Sequence, residues 1–231
     1  MVSTTVAQTR PSEKAKFIQR TYTHLAGAVA AFIAIEFFLF NTGLAGGLAS
    51  FAVANRFSWF LFLGGFALLG WLSSSLTARA DSVNLQYLGL GIYVIAEALI
   101  FAPLLYIAAN FYDPSVIPTA ATMTLLLFGG LTTVAFTTKK DFSFLGGILK
   151  IAGFVALGLI ICSIMFGFTL GLLFSVAMVI FAAAAILYDT SRIMHHYAPH
   201  QYVAASLELF ASVALLFWYV LRIVMSLSSR N

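Results

Sequence analysis

The chain has 231 residues, of which 61% are hydrophobic and only 9% charged, with a mean hydropathy of +1.00. A water-soluble domain carries about 25% charged residues and could not bury this much apolar surface, so the composition excludes a soluble module and indicates a polytopic membrane protein. The net charge of +4 is scattered among loops, which assigns it to membrane topology and not to nucleic acid.

Residues 1–20 are polar, carry Arg10, Lys14, Lys16 and Arg20 against Glu13, and lack the apolar core of a signal peptide. They are expected to form a flexible cytoplasmic tail, followed by a membrane domain over residues 21–231. At about 20 residues per crossing, seven spans are predicted: 21–41, 58–78, 85–108, 116–137, 147–166, 168–196 and 201–225. The apolar run from Ile151 to Tyr188 is too long for one crossing, and Gly167 and Gly171 mark its reversal. The expected fold is therefore all-α, a bundle of seven transmembrane helices.

Placing the N-terminus in the cytoplasm puts Arg10, Lys14, Lys16, Arg20, Arg79, Lys139, Lys140, Lys150 and Arg192 inside, and only Arg56, Arg222 and Arg230 outside. That asymmetry predicts a cytoplasmic N-terminus and an outside C-terminus. Cys162 is the single cysteine and cannot form an intrachain disulfide. Gly146, Gly147, Gly153 and Gly158, and the Gly167–Gly171 pair, would let helices approach closely.

Four acids fall inside the predicted spans: Glu36, Glu97, Asp189 and Glu208. Glu36 lies toward the outer half of the first span and Glu97 near the middle of the third. Each is read either as functional or as a structural acid bonded to a neighbouring hydroxyl. Asp189 ends a run of small and apolar residues, Ala182 to Tyr188. An ionisable group near mid-bilayer costs about 2.5–3.5 kcal/mol on insertion scales, so it marks a functional site once a partner is named.

If the last two spans form a hairpin turning near Pro199, position 210 is level with Asp189, and Glu208 and Ser212 bracket it. Each is then displaced by about 3 Å along the axis, and the two share one helix face. Two arrangements follow. Asp189 and Glu208 share a proton, because two carboxyls in low dielectric do not both ionise easily, and so build a proton or cation site. Alternatively, Asp189 forms a structural salt bridge with Arg192 one turn on, and Glu208 faces another groove.

His195, His196 and His200 fall at a polar helix end, where solvated histidines need no metal. The chain lacks HExxH, GxSxG and Walker-type patterns, and no lysine lies mid-span in the last helix to hold retinal. Neither an enzyme nor a cofactor is expected.

The stretch Thr137-Thr138-Lys139-Lys140-Asp141-Phe142-Ser143-Phe144-Leu145-Gly146-Gly147, with Ile186-Leu187-Tyr188-Asp189-Thr190-Ser191 and the segment from Leu209 to Arg222, resembles the Bax inhibitor-1 family. The likeness runs through nearly the whole chain and is closest to the family's bacterial YccA-like branch. It implies a seven-helix fold with a central last helix, in a bacterial inner (plasma) membrane. It also implies two themes. YccA-like members are associated with the membrane AAA protease FtsH and its HflK/HflC partners, and their N-terminal tail is what the protease engages. Other members resemble pH-sensitive calcium leak channels gated by an aspartate pair on helices six and seven. Asp189 matches the first aspartate of that pair, and Ser212 stands where the second would be. The primary expectation is therefore a modulator of an FtsH-type protease. The alternative is a pH-sensitive calcium or cation leak using Asp189 with Glu208.

Overall fold

The computed structural model describes residues 5–55, 57–77, 82–138 and 140–228. Arg56, Arg79, Lys139 and Arg230, used above for orientation, lie outside the described residues, as do residues 1–4 of the expected tail. A short 3-10 turn, Val6–Gln8, precedes α1 (Pro11–Asn41), α2 (Leu44–Ala54), α3 (Ser58–Thr77), α4 (Val83–Phe111), α5 (Val116–Thr138), α6 (Leu145–Phe166), α7 (Leu172–His195) and α8 (Tyr202–Ser228). All but the turn and α2 are long and apolar enough to cross a bilayer, which makes seven candidate spans among the described residues. The architecture is thus an all-α bundle with seven candidate spans among the described residues.

The largest boundary difference is at the start. Residues 11–20, expected in a flexible tail, are the first turns of α1, and Val6 ahead of them is fully buried. The cause is local: Pro11 occupies the first helical turn, where its missing N–H costs nothing and its fixed φ favours the helix. Composition hid this, because the turns are mostly polar and only Phe17 among them is buried. The second unforeseen element is α2, whose 11 residues reach about 16 Å and cannot span the roughly 30 Å hydrocarbon core. It begins after Gly43, at φ +76°, where a glycine accommodates the left-handed backbone. Gly167, at φ +75°, ends α6, and the chain reverses before Leu172.

The bundle has two ends. At the proximal end, where α1 begins, His24 Nε2 lies 2.6 Å from the Tyr87 hydroxyl, and the Val6 amide donates to the Tyr197 carbonyl at 2.8 Å. At the distal end, Arg222 Nη2 donates to the Leu170 carbonyl at 3.2 Å. The last helix is central: α8 packs against α1, α4, α5 and α7. Its Leu209, Leu216 and Leu221 are fully buried, as are Phe101 of α4 and Ile186 of α7 to within 2%. Phe101 stands edge-on to Trp218 at 4.9 Å and to Phe32 at 5.3 Å between ring centroids, a favourable aromatic geometry. The apolar surface of α6, which packs mainly on α7, is almost wholly exposed, as a lipid-facing helix requires. Of the glycines expected at close approaches, Gly146 faces the Tyr188 ring and Gly153 faces Phe181, whereas Gly147, Gly158 and Gly171 face open space.

Candidate functional site at the seam between the last two helices

The α7–α8 seam contains two polar contacts, about one helical turn apart. Ser212 Oγ donates to Asp189 Oδ2 at 2.5 Å, and both residues are buried, each 8% exposed. Nearer the proximal end, Arg192 Nη1 donates to Glu208 Oε2 at 2.6 Å, in an ion pair whose side chains keep about a third of their exposure (32% and 35%). Asp189, Ser212, Arg192 and Glu208 are therefore brought together, but not in either arrangement expected from the sequence. Arg192 pairs with Glu208 and not with Asp189, and no hydrogen bond joins Glu208 to Asp189 among the described residues. Two carboxylates repel in this medium, which disfavours the paired acids, and the reach of the Arg192 guanidinium selects Glu208 over Asp189. Arg192 is further held over the rings of Tyr188 and Tyr197, at 5.5 and 5.2 Å from their centroids.

The same stretch of α7 anchors the loop between α5 and α6. Ser191 Oγ accepts from the Phe142 amide at 2.9 Å and donates to Asp141 Oδ1 at 3.3 Å. Asp141 also accepts from the Ser143 amide and hydroxyl, at 2.9 and 2.5 Å. The hydrogen bonds from Ser143, then that from Ser191 and the nearby His196, hold the Asp141 carboxyl at a pKa of about 2. His196 Nε2 lies 2.8 Å from Ser143 Oγ and 3.5 Å from Asp141 Oδ2. One turn of α7 thus points Tyr188 at Gly146, Asp189 at Ser212, Ser191 at the loop and Arg192 at Glu208. Both motifs are visible in the sequence, but about 50 positions separate them and nothing local joins them. Their polarity between apolar runs was the available signal.

The remaining acids stand apart from this cluster. Glu36 is 7% exposed, and neither of its carboxyl oxygens has a hydrogen-bond partner among the described residues, so no neighbouring hydroxyl holds it. Glu97 is buried in α4 within reach of the Tyr93 hydroxyl one turn earlier. A group that sequence reasoning missed is formed by the hydroxyls of Tyr22, Thr132 and Thr190, from α1, α5 and α7. They are buried and lie near one another without closing a regular hydrogen bond. His195 Nδ1 donates to the Ser191 carbonyl at 2.9 Å. Among the described residues, no three of His, Cys, Asp or Glu gather closely enough to hold a metal ion.

A family model described as "Inhibitor of apoptosis-promoting Bax1" matches residues 14–230. The chain is 28% identical to Bax inhibitor 1 of Schizosaccharomyces pombe over 239 aligned residues, covering 99% of this chain and 83% of the yeast protein. It is 41% identical over 110 residues to an uncharacterized protein of Pseudomonas aeruginosa, covering 47% of this chain and 49% of that protein. It is 31% identical over 137 residues to the Golgi anti-apoptotic protein of vaccinia virus, covering 57% of this chain and 54% of the viral one. The matched stretch thus spans about half the length of the Pseudomonas and viral relatives.

Proposed function

The chain belongs to the Bax inhibitor-1 family, whose members are non-enzymatic multi-pass membrane proteins, and from that premise we propose that it is a proton-responsive cation leak whose working contact is Asp189 with Ser212. The observation that carries this reading is a buried carboxyl on α7, held to α8 by the Ser212 hydroxyl. When Asp189 is protonated, the acid and the Ser212 hydroxyl hold α7 against α8 and the seam is closed. When Asp189 ionises, its charge in low dielectric demands compensation, and a cation such as calcium entering the seam supplies it. Arg192 and Glu208 neutralise each other at the proximal mouth, so Glu208 acts as a cap and Asp189 as the titrating group. A family pattern with two aspartates would titrate as a coupled pair in two steps; Ser212 leaves one acid, and a single-step pH dependence follows. Calcium flux from vesicles containing the purified protein, followed across pH, tests the reading. A flux absent at every pH, or one that ignores pH, removes it.

The second reading, a modulator of an FtsH-type protease with HflK/HflC-like partners, is supported by a different observation. The segment ahead of α1 is docked on the same site: Val6 is fully buried, and its amide donates to the Tyr197 carbonyl in the turn between α7 and α8. A protease drawing on the N-terminus would pull directly on that turn. Substituting Val6→Asp would release the segment and should speed turnover by an FtsH-type protease in reconstituted membranes; unchanged turnover counts against this reading. In both cases the protein would sit in a bacterial inner membrane with its proximal end cytoplasmic. The cluster of Arg10, Lys14, Lys16 and Arg20 at the start of α1 supports that orientation.

A further inference from the structure

An apolar groove of about 470 Å³ runs between α1 and α4, open to the side of the bundle. Its floor is formed by buried Ala28, Leu90 and Val94. It exists because two side chains are missing: a Cβ added at Gly27 or Gly91 would meet nothing within 4 Å. Along α1 the groove extends from Thr23 to Ile35, about 18 Å at the helical rise. That is close to the roughly 15 Å depth of one leaflet's hydrocarbon.

The two ends of the groove differ in chemistry. The far end is apolar. At the proximal end His24 lies 2.6 Å from the Tyr87 hydroxyl, and the Arg20 guanidinium is 5.4 Å from the Tyr202 ring centroid. Lys16, Arg20, His24, Gly27 and Ala31 follow one another at spacings of three and four, so both cations lie on the stripe that enters the groove. Neither Lys16 nor Arg20 has a carboxylate partner among the described residues, and both are exposed. Tyrosines at this level mark a membrane–water interface. A groove one leaflet deep, apolar along its length and cationic at the interface, is complementary to an amphiphile with an anionic head.

We propose that the groove between α1 and α4 binds one acyl chain of an anionic phospholipid, whose phosphate is held at the proximal end by Arg20 and Lys16. Arginine suits this role because its planar guanidinium donates two parallel hydrogen bonds to a phosphate. The site is separate from the α7–α8 seam and does not depend on the leak reading.

Native mass spectrometry of the full chain, released from vesicles of mixed phosphatidylglycerol and phosphatidylcholine, tests the proposal. The wild type should retain one phosphatidylglycerol. Gly91→Leu fills the groove and should lower retained lipid about tenfold, equivalent to about 1.4 kcal/mol. Arg20→Gln should keep a lipid but lose the preference for phosphatidylglycerol. Gly64→Leu, another helical glycine facing open space, should retain lipid like the wild type and controls for folding. The proposal is overturned if the wild type carries no lipid or if Gly91→Leu retains as much phosphatidylglycerol as the wild type. It is equally overturned if the wild type is a lipid-free dimer that Gly91→Leu makes monomeric, since a second copy would then fill the groove.

Discussion

Ser212 on α8 donates a 2.5 Å hydrogen bond to Asp189 on α7, and neither residue is more than 8% exposed. The bond spans the most extensive helix–helix contact in the bundle, so it reports on whether α7 and α8 stay together. Ser212→Ala would leave a buried carboxyl without its donor and should cost about 1–3 kcal/mol of stability. Asp189→Asn retains an acceptor for Ser212 and should cost less, while abolishing the pH response of calcium flux. Thermal melting in detergent and flux across pH measure the two effects separately. A pH response that survives in Asp189→Asn would show that another group does the sensing.

The ion pair between Arg192 and Glu208 sits one turn nearer the mouth, and its side chains keep about a third of their exposure, 32% and 35%. Solvent screening limits such a pair, so a double-mutant cycle of Arg192→Gln and Glu208→Gln should give a coupling of about 1 kcal/mol or less. Because Glu208 is committed to Arg192, Glu208→Gln should keep a pH response of flux where Asp189→Asn abolishes it. Loss of the response in Glu208→Gln as well would mean that the two acids share a proton after all.

Asp141 pins the α5–α6 loop to α7, and its carboxyl is held at a pKa of about 2, below its ordinary value of 3.8. A depressed acid stabilises the folded loop above its unfolded pKa and loses that contribution as pH falls through the folded one. The loop should therefore be pinned at neutral pH and loosen between about pH 4 and pH 2. The side chain is half exposed, so the global stability effect is small. Hydrogen exchange at the Phe142 amide, which donates to Ser191, is the sensitive readout. Asp141→Asn should show fast exchange at pH 7; slow exchange there would mean that Ser191 holds the loop alone.

At Gly146 an added Cβ would lie 2.8 Å from the Tyr188 ring, closer than real contacts allow. Gly146→Ala should push Tyr188 aside and cost about 1–3 kcal/mol by overpacking. Gly147→Ala, next in the chain but facing open space, should be neutral or slightly stabilising because alanine favours the helix. A comparison of the two melting temperatures checks this, and equal values would mean that α6 shifts freely on α7.

The orientation proposed for the bundle can be read from reporter fusions. A fusion after His200 should report the cytoplasm, and one after Asn231 the opposite side. A cytoplasmic signal at Asn231 would reverse the inference drawn from the basic residues.

Hydropathy and span length alone determined that the chain is a seven-helix membrane bundle, because a crossing must be apolar for about 20 residues whatever it packs against. Gly167 was legible as a reversal for a similarly local reason: its positive φ is a backbone property that the residue type announces. The start of α1 at Pro11 and the short α2 escaped, since a polar helix end and an 11-residue apolar helix leave no membrane-scale signal. At the seam, hairpin geometry brought Asp189, Glu208 and Ser212 to one level but did not assign partners. That choice turns on side-chain reach and on where the Arg192 guanidinium is held between Tyr188 and Tyr197, and only the packed helices decide it. The contact of Asp141 with Ser191 is of the same kind: each end was visible in the chain, but the bond between them exists only once α5, α6 and α7 are folded together.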